Sequence, residues 1–327
     1  MHDGGARSRL GFVGRAFSSK DHPPLAAAMM VFALALLGLQ DAIVKLTTGA
    51  VSIWQFQFIR AGLNLALLFG GVLFFGGLRT LPPKRAWVVA LRSICLVAAM
   101  LCFFSGIPFL SLAEIAAGLY LFPLIVTLLS RFVLGEQVGV QRLAAVAAGF
   151  CGALLILKPG GEAFRMVSLL PVGAAMFYAC VVLITRKLCR EESPLTLATG
   201  VALTFMVVGA IGLAVMPSPD KVGALGANWP YLMTGWHDLG LVTLLAIVAC
   251  SAFNLTANIC LARAYQTAES SWLAPYDYSY LVFAAMWGYL IWGTVPDALT
   301  VAGMGLIAAA GIFVAAREAR KSRVSNL

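Results

Sequence analysis

The residues able to do chemistry are the few charged or polar side chains that fall inside long apolar runs. Asp41 sits in the run Leu25–Thr48 with Gln40 and Lys45 beside it, and Arg60 sits in the next run with Gln57 and Asn64. Gln57, Arg60 and Asn64 fall at i, i+3 and i+7, so they line one face of a helix. Counted from the short turn at 49–52, Asp41 and Arg60 both lie about 10–13 Å deep at 1.5 Å per residue. Equal depth on consecutive antiparallel helices predicts an ion pair, either a structural clamp or a gating and substrate-binding element. Asp41 and Lys45, four apart, could instead pair within their own helix. Intramembrane charge is expensive and marks function by default.

A second group lies late in the chain. Asn254 and Asn258 share a helix face four residues apart, and Tyr276, Asp277, Tyr278 and Tyr280 follow in the next apolar run. Asparagines within membranes often serve only as hydrogen-bonding glue between helices. Asp277, about 9 Å in from the helix start, has a choice of roles. Tyrosine hydroxyls could hold it, or it could bind a cationic solute group or carry a proton. Pro275 loosens its helix by removing a backbone donor, and Pro123 falls near the equivalent place in an earlier helix, beside Tyr120 and Phe122. Tyr120, with Tyr178, Trp272 and Trp287, supplies aromatic surface for a cavity, although such residues also form lipid-facing belts. Trp292 reads as an interface anchor. Glu114 and Glu269 stand at helix starts and read as caps. Arg92 lies little more than a turn inside its helix and is expected to snorkel to the surface.

These groups must be positioned by a membrane. With 61% hydrophobic and 11% charged residues and a mean hydropathy of +0.91, the chain departs far from a soluble domain, which carries about 25% charge. The net charge of +9 forms no basic patch on a soluble element and so implies no nucleic-acid partner. The seven cysteines show neither a disulfide framework nor metal spacing, and the three histidines lie in the N-terminal tail and one loop. No metal or cofactor is expected. No phosphate-binding glycine loop appears, and no convergent catalytic groups do, so the reading is not an enzyme. A membrane packing subunit without transport is the alternative from another class, and it would not need Asp41, Arg60 and Asp277.

The pattern predicts an all-α membrane protein of ten transmembrane helices. Their expected bounds are 25–48, 52–75, 86–107, 111–134, 139–158, 168–188, 194–216, 239–262, 271–292 and 297–316. Residues 1–24 read as a cytoplasmic tail rather than a cleaved signal, and 317–327 as a second tail. Seventeen lysines and arginines fall on one side of the alternating loops against three on the other, which puts both termini in the cytoplasm of an inner membrane and the loop 217–238 outside.

The chain also repeats. At an offset of 141, Lys45 meets Arg186 and Ser52 meets Ser193; at 155, Ala113-Glu114 meets Ala268-Glu269 and Cys95 meets Cys250. The shift of 14 marks an excess between Pro217 and His237. Five spans per half, an odd number, predict two inverted repeats, at 25–162 and 163–316, an architecture of secondary transporters. Gly149, Gly152, Gly303, Gly305 and Gly311 allow close helix packing, within the chain or across a homodimer seam.

The stretch LSLAEIAAGLYLFPLIVTLLSRFVLGEQVG at 110–139, with the glycine-rich closing helix of each half, resembles the drug/metabolite transporter superfamily, in particular its EamA-type ten-helix carriers. The resemblance covers residues 25 to 316. It implies a secondary transporter moving a small solute by alternating access, with amino acids and related amphipathic metabolites as the leading class. APYDYSYLVFAAMWGYLIWGTVPD at 274–297 also looks like uptake carriers of larger cofactors such as S-adenosylmethionine or riboflavin. One departure stands out: Gly135-Glu136 ends the fourth helix of the first half, but Gly293-Thr294 stands in the second.

Overall fold

A computed structural model describes residues 23–75, 82–133, 139–158, 166–223, 228–267 and 270–325. The described residues form helices and connecting turns, with no strand among them. Six helical segments, Pro24–Thr47, Ala86–Gly106, Leu112–Val133, Met166–Leu188, Pro194–Val215 and Leu241–Tyr265, are long and apolar enough to cross a membrane.

In chain order the first half holds α1 (Pro23–Thr47), α2 (Ile53–Phe75), α3 (Ala86–Gly106), α4 (Leu112–Leu119), α5 (Phe122–Val133) and α6 (Val140–Leu157). The second holds α7 (Leu170–Leu188), α8 (Pro194–Val215), the single turn α9 (Pro230–Met233), α10 (Leu241–Thr267), α11 (Ser270–Asp277), α12 (Ser279–Trp292) and α13 (Ala298–Ser325). The bounds expected from the apolar runs fall close to these, but α10 runs on to Thr267 and α13 continues through the segment expected to be a tail. The expected spans 111–134 and 271–292, each interrupted near its proline, are broken in two, at Tyr120–Leu121 and at Tyr278. Pro123 stands second in α5, just past its break, whereas α11 carries Pro275 inside it and ends two residues later.

Local chemistry sets the helix ends. Ser111 accepts from the Glu114 N–H at 3.2 Å while the Glu114 carboxylate accepts from the Ser111 N–H at 2.8 Å. This capping box confirms the expected role of Glu114; Glu269 lies outside the described residues. The repeat-related Ser52 and Ser193 do the same job, accepting from the N–H groups of Gln55 and Thr196 at 3.2 and 3.0 Å. Gly293 takes φ 65°, a left-handed cap that terminates α12, and Thr294 Oγ1 donates to the Gly288 carbonyl at 2.8 Å. The Gly-Thr departure therefore closes its helix in its own way. Gly135-Glu136 lies outside the described residues.

Helix packing follows a pattern. α1 lies along α10 and α12, and α7 lies along α3 and α5; α2 pairs with α8, and α6 with α13. The last pair touches through glycine: a Cβ on Gly152 would meet the Gly303 carbonyl at 2.7 Å, and one on Gly303 would meet the Gly152 carbonyl at 2.5 Å. Gly311 likewise leaves room for the Tyr278 ring. Four of the five glycines singled out above, Gly149, Gly152, Gly303 and Gly311, are thus used in packing within the chain. Outside the packed core stand Phe32, Ile94, Val207, Val282 and Leu290, an apolar exterior suited to lipid.

One end of the bundle is packed shut. The second part of the excess loop turns back onto the start of α2. There Ser52 Oγ donates to the Gly235 carbonyl at 2.7 Å, Trp54 Nε1 to Leu232 at 2.7 Å and Gln55 Nε2 to His237 at 2.8 Å. Tyr231 on α9 is buried in a cluster with Val44, Ile53, Phe56, Phe104 and Ile247. An insertion there reads as a mere tolerated loop from sequence; in the fold its second part is a built plug.

Candidate functional site

Below that plug lies a cavity of about 600 Å³ whose walls come from both halves of the chain. Asp41, Arg60, Asn64, Tyr120, Asn254, Asn258, Asp277 and Tyr280 all line it. Tyr276 does not; it packs against the main apolar core instead. The lining runs from Gln40 and Phe104 in mid-helix to Pro194, the first residue of α8, so it reaches the end of the bundle opposite the plug. Leu34, Leu37, Met100, Val201 and Leu255 make most of the wall apolar, the character expected of a small-molecule site.

The expected ion pairs are not made. Asp41 accepts a short hydrogen bond from the Tyr280 hydroxyl and one from Gln40 Nε2 at 3.2 Å. Arg60 lays its guanidinium over the Phe104 ring, 5.5 Å from its centroid, and its Nη1 has no hydrogen-bond partner. The reason is topological: α1 packs along α10 and α12 while α2 packs along α8, so chain neighbours are not the main packing partners. Nor does Lys45 pair with Asp41. Its ammonium donates to the Leu110 carbonyl at 2.6 Å and stands 5.3 Å from the centroid of the Trp292 ring.

Tyr120 is the meeting point of the two broken helices. Its hydroxyl donates to the backbone carbonyl of Asp277 at 2.9 Å, with the Asp277 carboxylate oxygen at 3.5 Å. Its ring stacks on Tyr280 at 5.5 Å and 17° and meets Tyr278 at 5.3 Å. Phe122 bridges from Tyr120 to Tyr178, with ring centroids 6.0 and 4.8 Å apart. Breaking a helix strands backbone carbonyls that lipid cannot satisfy. A tyrosine hydroxyl from the opposite half supplies the missing donor.

Three further readings are corrected by geometry. Arg92 does not reach for the surface: it lines the cavity, and its Nε donates to Thr185 Oγ1 at 2.7 Å. Asn254 and Asn258 do not glue helices together through their described bonds. Asn258 Nδ2 donates to the Asn254 carbonyl at 2.7 Å and to its Oδ1 at 3.3 Å, inside α10. Trp287 is no cavity residue; its indole N–H donates to the Ala35 carbonyl at 3.2 Å and ties α12 to α1. The sequence reading leaves out Arg92 and Gln40 as wall residues, whereas Gln57 belongs to the polar stripe of α2. Their occurrence in apolar runs was the available signal.

Proteins of known role carry related sequences. A riboflavin transporter of Vibrio cholerae is 30% identical over 62% of this chain and 61% of its own length, so the match spans less than two thirds of that protein. An S-adenosylmethionine uptake transporter of Rickettsia bellii is 27% identical over 80% of this chain and 83% of its own. A pseudopaline exporter of Pseudomonas aeruginosa is 25% identical over 87% and 93%. The EamA-like transporter family matches residues 24–158 and 165–316. A transporter family that covers nearly the whole helical part, and a wall of polar groups sunk in apolar helices, lead to one assignment: this chain belongs to the EamA-like transporter family, within the drug/metabolite transporter superfamily, and is not an enzyme.

Proposed function

We propose that the chain is a secondary carrier of ten spanning helices in two inverted five-helix repeats, at 25–162 and 163–316, that moves a cofactor-sized solute through the central cavity by alternating access. The observation that carries this reading is the cavity itself. Its volume of about 600 Å³ lies within the range of small-molecule sites, and its polar groups come from both halves. The packing supports the repeat, since α1 on α10 corresponds to α7 on α3, α1 on α12 to α7 on α5, and the pairs α2–α8 and α6–α13 map onto themselves. The loop charges support cytoplasmic termini in an inner membrane. In that orientation the plug of α9 closes the outer side and the cavity reaches the cytoplasmic side.

The relatives' names favour a riboflavin- or S-adenosylmethionine-like solute over a small amino acid. A single-chain carrier suffices for this reading: Gly152 and Gly303 pack against each other within the chain. Counterflow decides. Liposomes holding the purified chain and loaded with unlabelled riboflavin, S-adenosylmethionine or mixed amino acids are expected to accumulate labelled riboflavin or S-adenosylmethionine from outside. Accumulation of amino acids alone would return the solute to the smaller class. No exchange of any solute by well-folded protein would overturn the carrier.

A further inference from the structure

Three buried polar atoms on the cavity wall have no partner, and they narrow what the wall can take. Gln57 Nε2 and Arg60 Nη1 are donors without an acceptor, and Gln40 Oε1 is an acceptor without a donor. Gln40 and Gln57 are 3% exposed and Arg60 is 8% exposed, and all three line the cavity. Gln57 and Arg60 are three apart on α2 and so share a face. The Gln40 amide is oriented by its neighbour: its Nε2 is committed to Asp41 at 3.2 Å, which leaves Oε1 as the free atom.

Buried polar atoms left unpaired are costly and rare in folded proteins, so three of them on the wall of one cavity mark where a ligand would bind. Its composition discriminates among ligands. A cation finds no match in Arg60. A carboxylate would satisfy the two donors but leave Gln40 Oε1 unpaired and stand near the Asp41 carboxylate. An imide edge, with a ring N–H between two carbonyls, offers two acceptors and one donor, the complement of the wall. Phe103, Phe104 and Phe122 with the stacked rings of Tyr120 and Tyr280 supply flat apolar surface for the ring that bears such an edge.

We propose that Gln40, Gln57 and Arg60 form a subsite for the imide edge of a planar heterocyclic solute, the two carbonyls taking the α2 donors and the N–H the Gln40 oxygen. The assignment rests on reading the cavity as the solute site. The test measures binding to the purified full chain in lipid nanodiscs by titration calorimetry. The probes are riboflavin and uridine, which carry the edge, N3-methylriboflavin, in which its N–H is blocked, and S-adenosylmethionine, which lacks it. At least one of the first two is expected to bind. Blocking the N–H should weaken riboflavin about tenfold, the loss of one buried hydrogen bond with its partner left stranded. Gln40→Leu should weaken riboflavin similarly and erase the difference between it and its methylated form. Gln57→Leu should weaken both forms. Thermal melting of each variant checks the fold, since Gln40→Leu also removes the bond from Nε2 to Asp41. Equal binding of the blocked and free forms would overturn the subsite. So would unchanged affinity in folded Gln40→Leu and Gln57→Leu, or failure of both imide probes. A chain that exchanges S-adenosylmethionine in liposomes yet binds neither imide would lose this subsite and keep its role as a carrier.

Discussion

Tyr120 and Asp277 join the two helix breaks: the hydroxyl from one half donates to the carbonyl that the other half's break leaves free, at 2.9 Å. The bond ties the break at Tyr120–Leu121 to the one at Tyr278, beside the cavity. Tyr120→Phe keeps the ring stack on Tyr280 and removes only the donor. It is expected to lower stability in detergent by about 0.5–1.5 kcal/mol. Tyr120→Leu removes the stack as well and should cost more. Melting temperatures of the two variants check the order, and equal losses would mean that the hydroxyl, not the ring, carries the contact.

The plug predicts a change of access. Tyr231 and Cys250 are buried in one cluster at the closed end. In a background whose other six cysteines are replaced by serine, Cys250 should resist a membrane-impermeant thiol reagent. Tyr231→Ala opens a gap the size of an aromatic ring, at a cost of about 3–5 kcal/mol. It should expose Cys250 to reagent added from the side that bears the 228–238 segment. An unlabelled Cys250 in the folded variant would mean that the closed end does not depend on Tyr231.

The glycine contact between α6 and α13 is backbone against backbone, so it cannot yield by a side-chain rotation. Gly303→Ala would bring its Cβ to 2.5 Å from the Gly152 carbonyl and should destabilise the chain by about 1–3 kcal/mol. Gly305→Ala, two residues away on the same helix, meets nothing within 4 Å and serves as the control. Parallel thermal denaturation of the two variants is the measurement.

At the end of α6, Lys158 hydrogen-bonds to Asp297, and Asp297 Oδ1 accepts from the Thr300 N–H at 3.0 Å at the start of α13. The bond from Lys158, then those from Thr300, lower the Asp297 carboxyl to about 2. Because the folded value lies below the unfolded one, about 3.9, this group stabilises the fold above pH 4 and stops doing so as pH falls through 2. The gap in melting temperature between wild type and Asp297→Asn should therefore be full at pH 5 and shrink toward pH 2. A gap that stays constant would remove the carboxylate from the contact.

By itself the sequence determined the membrane class, the helix positions and which residues would be unusual. Hydrophobic run length and the cost of burying charge are local properties, readable without knowing any neighbour. That is why Asp41, Arg60, Tyr120 and Asp277, all of which line the cavity, are legible as candidates, and why Glu114 is legible as a cap. Partners were not legible. Closeness in chain and equal depth match Asp41 to Arg60, yet α1 packs along α10 and α12, and the Tyr280 hydroxyl holds the carboxylate. Depth counted along one helix puts Arg92 near the surface; the tertiary fold sets Thr185 and the cavity beside it. The plug of Tyr231 likewise needed a fold in which a loop of the second half lands on the first turn of α2. Which charge meets which donor is decided by helix order in space, and that order comes from packing between the halves, which no single stretch of this chain contains.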